Sequence, residues 1–300
     1  MRSIALQYFV LNLRLLYARA APARNPGKHG GGSLAASPTM TQPDLASPES
    51  SDPLYVASLG KAMRVLEAFR QARESLSLTE LVQITGLGKS AVQRFTHSWE
   101  RLGYLEKDPR TRRYGLGPRV VELSYFFLRS DPLVSRAAPH LVALRERCGL
   151  AVNMSVLDGM DMIYLLRLPS RQLTLAEMLP GRRMPAWSNS AGRMLLTPLD
   201  DIALDHYFSR AEITAYTSRT ETDPGKLAAE VRLARSQGYA LTHDQVLLNQ
   251  VGAAVLLRDD LRRPVAALNI TAAADEFPPE RLVREIVPQL LKTAYAISGT

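Results

Sequence analysis

Gly86-Leu87-Gly88, lying between two short stretches of helical periodicity, constrains this chain more than any other feature. Glycine tolerates the left-handed backbone that a sharp reversal between helices requires. Upstream, Leu81, Val82 and Ile84, with Thr79, mark one side of a first helix. Downstream, a second helix starts near Ser90, and Val92, Phe95, Trp99 and Leu102 recur at helical spacing along its inner side. Two such helices about one tight turn form a helix-turn-helix. The outward side of the second carries Lys89, Ser90, Gln93, Arg94 and His97. These side chains reach phosphates and base edges when a helix enters a major groove.

The following residues extend the reading. Gly103 to Gly117 has the pattern of a two-stranded ribbon, with Tyr104 and Leu105 outbound, a turn at Asp108-Pro109, and Tyr114 and Leu116 returning. Its loop holds Lys107, Arg110, Arg112 and Arg113, a cationic wing placed to lie along a phosphate backbone. Ahead of the motif, Leu59, Ala62, Met63, Val65, Leu66 and Phe69 predict a helix over Ser58–Gln71 that packs across the other two. Charge follows the same plan. The formal net charge is +8, and residues 54–118 hold 11 Lys and Arg against 6 Asp and Glu, whereas residues 119–300 hold 21 against 20. An electrostatic footprint for DNA is thus confined to the N-terminal part.

In combination, Ser58–Phe69, Leu76-Ser-Leu-Thr-Glu-Leu81, Lys89-Ser-Ala-Val-Gln-Arg94 and Arg101 to Leu123 resemble the winged-helix domain of IclR-type transcriptional regulators. The resemblance is dense from Tyr55 to Leu123 and looser to the end. It implies an α+β chain: an N-terminal winged helix-turn-helix, a linker helix, and a C-terminal GAF-like antiparallel sheet with flanking helices that binds an effector.

The expected organisation is a disordered extension over residues 1–53, a DNA-binding domain over 54–117, a linker helix over 118–131 and an effector domain over 132–300. The extension is rich in Gly, Pro, Ser and Ala. Its apolar run at residues 4–16 faintly resembles a secretory signal, but Asn12 and Arg14 interrupt it and it is too short to span a bilayer. Met40 is a candidate for the native start, with residues 1–39 arising from an upstream start codon. In the linker, Val120, Val121, Leu123, Phe126 and Phe127 exceed what one side of a surface helix needs, which points to a second subunit.

Beyond Asp131-Pro132, the pattern predicts a helix over 133–148 closed by Gly149, a hairpin over 151–168, a strand over 172–178 and a short helix over 190–196. Helices near 202–208 and over 225–237 follow, then strands at 239–242, 251–258 and 264–271. A last helix over 279–297 should kink at Pro288. Cys148 is the sole cysteine, which excludes an intrachain disulfide and a multi-cysteine zinc site and suits a reducing cytoplasm.

No Gly-x-Ser-x-Gly elbow, P-loop or dinucleotide fingerprint is present, so no catalytic residues, cofactor or metal are expected. A ligand pocket has better support. Trp187-Ser-Asn-Ser-Ala-Gly192 sits at a helix start, where backbone N–H groups favour an anion. Asn269 and Thr271, two apart on an apolar strand, point the same way, either into a cavity or merely toward neighbours and water. The resemblance implies effector contacts at Ser190, Ala191, His243, Asp244, Gly252, Asn269 and Thr271, with Trp187 where a histidine is frequent. Asn249-Gln250-Val251-Gly252 replaces the family's usual Gly-(Val/Leu)-Arg-(Cys/Ser), so a side chain commonly offered to the effector is missing. Met154, Met160, Met162, Met178 and Met184 add soft apolar surface, which favours an aromatic or partly apolar acid over a two-carbon one. The expected partners are a near-palindromic operator in double-stranded DNA, a small organic acid and further copies of the chain as a homodimer or tetramer, with no membrane. The competing readings are an enzyme with an appended DNA anchor and a structural DNA-binding protein without a ligand.

Overall fold

The computed structural model describes residues 54–70, 72, 74–170 and 179–298. The expectations for the extension over residues 1–53, the strand over 172–178 and Met178 lie outside the described residues.

Helix α1 spans Ala57–Glu67 and tightens into a 3-10 turn over Ala68–Arg70. It is shorter than its apolar stripe predicts. The tightened turn swings Ala68 and Phe69 into the core, while Leu59 and Met63 stay exposed. Helix α2 spans Leu78–Thr85 and opens with a reciprocal cap: Ser77 Oγ accepts from Glu80 N, and Glu80 Oε2 accepts from Ser77 N. Gly86, at φ 67°, ends it in the left-handed region. Helix α3, Lys89–Arg101, starts after Gly88, one residue before the position expected from Ser90. Its inner side is Val92, Thr96, Phe95 and Trp99, with Val92 and Thr96 fully buried; Leu102 falls at the C-cap and is exposed, contrary to expectation. On α2 the stripe is likewise displaced by one residue. Thr85 is buried, its hydroxyl donating to Leu81 O at 2.6 Å, and Ile84 is exposed.

The wing is β1 (Leu105–Lys107) against β2 (Tyr114–Leu116), with Lys107 opposite Tyr114. Leu76 joins as a third segment through paired bonds with Tyr114 of 2.8 and 2.7 Å. Where the ribbon closes, a Cβ on Gly117 would lie 2.4 Å from the Gly103 carbonyl oxygen, so only glycine fits. Helix α1 is fastened across α3 by Trp99, whose Nε1 donates to Ala62 O at 2.9 Å.

Helix α4, Arg119–Ser130, has no buried residue. Helix α5, Pro132–Cys148, is capped by the Asp131 side chain, which accepts from Val134 N, and closed by Gly149 at φ 72°. A six-stranded antiparallel sheet follows in the order β5-β4-β3-β8-β7-β6. Its strands are β3 (Ala151–Asp158), β4 (Asp161–Leu168), β5 (Arg183–Pro185), β6 (Ala240–His243), β7 (Gln250–Arg258) and β8 (Pro264–Ala273). Helix α6, Ser190–Leu196, packs on one face with Ala254 and Ala267 beneath Ala191, Met194 and Leu195. Helices α7 (Asp201–Arg210) and α8 (Pro224–Gln237) flank it. The alternate strand residues Val152, Met154, Val251, Ala253, Leu268 and Ile270 are also buried, so both sheet faces are covered.

The final helix is distorted one turn before the predicted kink. A short α9 (Pro279–Arg281) passes into a π turn over Leu282–Ile286, and α10 runs from Val287 to Ser298. Pro288 offers no N–H and its ring crowds the carbonyl four residues back, Arg284 O, so the ladder widens around that carbonyl.

Candidate functional site

Lys89, Ser90, Gln93, Arg94 and His97 are all exposed along one side of α3. Among the described residues none of their side chains is held in an ion pair. In the wing, Asp108 Oδ1 accepts from Arg110 N at 2.7 Å and Thr111 N at 3.0 Å, and Arg112 takes φ 59°, which turns the loop over on itself. Arg110 and Arg112 project to solvent. The other two wing cations do not. Arg113 turns back toward α2 and donates to Ser75 O at 2.7 Å and to Glu80 Oε1 at 3.1 Å. Lys107 Nζ stands over the Tyr114 ring, 5.0 Å from its centroid. A spacing argument cannot separate them, because it sees four cations and not the strand pairing that points two of them inward.

On the α6 face of the sheet, running from β4 across to β6, lies a polar cavity of about 240 Å³. Strand register builds its floor. Arg167 on β4 pairs with Asn153 on β3, which pairs with Asn269 on β8. One step along, Ala151 pairs with Thr271, Thr271 with Gly252 and Gly252 with Thr242. Residues two apart on a strand share a face, so both rows point at the cavity. A bulge opposite Met154/Ser155 shifts the alternation on β4, and Tyr164, three residues from Arg167, joins the same face. The Arg167 guanidinium lies over the Tyr164 ring, 4.3 Å from its centroid, and its Nε donates to Asn153 Oδ1 at 3.4 Å.

Of the expected effector residues, Ser190, Gly252, Asn269 and Thr271 line this cavity. A Cβ on Gly252 would meet Ser190 Oγ at 2.9 Å and Thr242 Oγ1 at 3.2 Å, so the glycine keeps that end open. Four others are placed elsewhere. Trp187, in the middle of a 3-10 turn over Ala186–Ser188, is buried in a cluster with Leu196, Leu204, Tyr207 and Phe208. Ala191 is covered by core contacts. His243 is exposed at the end of β6, its Nε2 3.5 Å from Asp244 Oδ2. Asp244 is buried at φ 57°, takes an ion pair from Arg219 at 3.0 Å and accepts from Asn249 N at 2.7 Å, and so braces the loop to β7. The helix start is also partly used already: Asn189 Oδ1 accepts from Gly192 N at 3.0 Å.

Arg167, Asn153, Tyr164, Thr242 and Gln245 line the cavity without having been singled out in the sequence. One signal was available, a lone arginine within Leu165-Leu166-Arg167-Leu168. Gln245 is held by fully buried Arg193, whose Nη2 donates to its Oε1 at 2.9 Å while Nη1 pairs with Glu230. Burial pulls the Arg193 guanidinium below its usual range and Glu230 opposes this. Two acceptors beside the Arg167–Asn153–Asn269 row, Asn269 Oδ1 and Ser155 Oγ, are buried and have no hydrogen-bond partner among the described residues. Leaving such a group unmet costs about 1–3 kcal/mol. Cys148 lies apart, half-buried, and desolvation raises its thiol above the ordinary range.

A winged helix-turn-helix followed by an α+β domain with a polar cavity defines a DNA-binding transcriptional regulator with an effector-binding domain. Residues 126–299 match the family described as bacterial transcriptional regulator IclR C-terminal, and residues 58–109 match the IclR helix-turn-helix domain. The chain belongs to the IclR family. It is 32% identical over 263 residues to the Pca regulon regulatory protein of Pseudomonas putida, covering 85% of this chain and 90% of that one. Among solved structures, a transcriptional regulator from Rhodococcus sp. RHA1 is 31% identical with a TM-score of 0.69, covering 82% of this chain and 98% of that one. The inducer-binding domain of the PobR transcription factor from Acinetobacter, a double mutant in complex with 3-hydroxybenzoic acid, is 25% identical with a TM-score of 0.51 over 54% of this chain and 95% of that one. Among the described residues no helix is long and apolar enough to cross a membrane.

Proposed function

We propose that this regulator senses a small aromatic acid in the cavity over β4, β3 and β8 and changes its grip on an operator accordingly. The observation that carries the reading is Arg167, 8% exposed, which brings a guanidinium into a polar cavity of single-ring size. A guanidinium that lines a cavity can donate to an anionic occupant. The aromatic-acid complex of the Acinetobacter domain supports the same class. Lys89, Ser90, Gln93, Arg94 and His97 read the groove, and Arg110 and Arg112 hold phosphates. The DNA-binding part covers residues 54–117, the linker 118–131 and the sensor 132–300. The exposed apolar face of α4 joins two copies, which sets a near-palindromic operator. The protein works in the cytoplasm as a sensor and not as an enzyme, and leaves the acid chemically unchanged.

Thermal-shift measurements on the full chain with millimolar benzoate test the sensor. A ligand that binds only the folded state raises apparent stability by mass action. A rise for the wild type that is lost in Arg167→Gln is expected. An equal rise in both proteins would remove Arg167 from the site, and no rise with any aromatic acid would remove the sensor reading.

A further inference from the structure

The end of the recognition helix α3 and the start of the linker helix α4 meet at one joint. Leu102 is the C-cap of α3, and carbonyls at a helix end have no partner inside the helix. Arg119, the first residue of α4, supplies one: its Nη1 donates to Leu102 O at 2.7 Å. A cation is also favoured at this end of the helix dipole. The stem of Arg119 passes over Gly103, at φ 77°, where a Cβ would lie 3.2 Å from Arg119 Cδ. Backbone bonds fix the surroundings. Tyr104 N donates to Trp99 O at 2.9 Å, and Gly117 N donates to Tyr104 O at 2.8 Å.

The far end of α4 has as little slack. Asp131 is at once the C-cap of α4 and the N-cap of α5. Its N donates to Phe127 O at 3.0 Å, and its side chain accepts from Val134 N at 2.9 Å. A single residue thus separates the linker from the first helix of the sensor. An arm held at both ends passes its own orientation to whatever is tied to it, and Arg119 is the side chain that ties it to α3.

We infer that Arg119 is a positioning residue for operator recognition. Through Leu102 O it fixes the angle between α3 and α4, and so the separation of two recognition helices when α4 pairs with a second copy. The inference rests on the two-fold reading given above. Arg119 itself touches neither base nor phosphate. An operator whose halves stand too far apart can be gripped at both only if this angle gives way. The wild type then either loses the Arg119–Leu102 bond or releases one half. A chain without the bond has less to lose, so its preference for the correct spacing weakens by about the worth of that bond.

Fluorescence anisotropy with the full chain and three duplexes tests this: an operator selected from random DNA by the wild type, the same operator with two base pairs inserted at its centre, and a single half-site. The insertion turns one half against the other by about a fifth of a helical turn. The wild type should bind the lengthened duplex about tenfold or more weaker than the operator, because it forfeits part of the gain from holding both halves at once. Arg119→Met keeps the stem over Gly103 and removes the donor. In that variant the ratio should fall by about threefold or more, in line with the net worth of one hydrogen bond. Arg119→Lys keeps a donor and should restore most of the preference. Half-site affinity should be equal in all three proteins, which also reports that the variants are folded. An unchanged ratio in Arg119→Met, no recovery in Arg119→Lys, or a loss spread evenly over the three duplexes would overturn the inference while leaving the two-fold reading standing. A wild type that selects no duplex, or binds the lengthened one as well as the operator, would overturn both.

Discussion

Arg94 and Arg113 are both arginines of the DNA-binding module, and their surroundings give them opposite tasks. Arg94 stands exposed on the outer side of α3. Arg113 is spent on Ser75 and Glu80. Base edges are read by side chains held on a helix, whereas phosphate contacts carry no sequence information. Arg94→Ala should therefore lower affinity for the operator by about 1–3 kcal/mol more than for unrelated DNA. Arg112→Gly keeps the left-handed turn and removes one charge, so both affinities should fall and the salt slope should flatten by about 0.9, the share of a single neutralised phosphate. Filter binding over a salt series separates the two; equal losses on both DNAs for Arg94→Ala would end its base-reading role. Gly192 shows the same dependence on surroundings within the sensor. A Cβ there would lie 2.1 Å from Ala186 O, so α6 can sit where it does only over a glycine.

At the scale of elements, the start of α2 depends on a carboxylate. Hydrogen bonds from the Ser77 backbone and hydroxyl, and then from Arg113, lower Glu80 from 4.5 to about 2. A depressed carboxyl contributes stability above its unfolded value and loses it as pH falls through the folded one. The cap, and with it the seat of the wing on α2, should accordingly be intact at neutral pH and weaken between about 4.5 and about 2. Glu80→Gln should speed amide exchange in α2 at neutral pH, and the difference from wild type should vanish below about pH 2. A difference that persists undiminished in acid would show that the carboxylate's charge is not what closes the cap. Salt should have little effect on the Ser77 contacts, which are short-range.

At the scale of the molecule, α4 stands out for what it leaves uncovered. Phe126 and Phe127 are 57% and 50% exposed, and Val121 and Leu123 accompany them. Exposed large apolar side chains grouped on one helix mark an interaction site, and self-pairing through them is the arrangement a two-fold operator would need. Phe126→Ser combined with Phe127→Ser should shift sedimentation toward monomer and weaken operator binding, while the fold and benzoate binding persist. An unchanged oligomer would place the interface on another surface.

Local chemistry made the winged helix-turn-helix legible. Gly86 and the Asp108-Pro109 turn act through neighbours within a few residues, so sequence alone carries them; the cap between Ser77 and Glu80 is just as local but came to light only in the structure. The helices and strands of the sensor were legible for the same reason, since caps at Asp131, Gly149 and Asp223 mark their ends. The cavity was legible only in part. Asn269 and Thr271 could be found because strand alternation is local. Arg167 and Tyr164 could not be joined to them, because a bulge against β3 put those two on one face and nothing in β4 by itself encodes it. Likewise, the burial of Trp187 among Leu196, Leu204, Tyr207 and Phe208, the pairing of Asp244 with Arg219 and that of Arg113 with Ser75 and Glu80 are made between residues distant in sequence. Periodicity and capping fix what each segment is; which side chains meet across strands is decided by register and packing, and these exist only once the segments have come together.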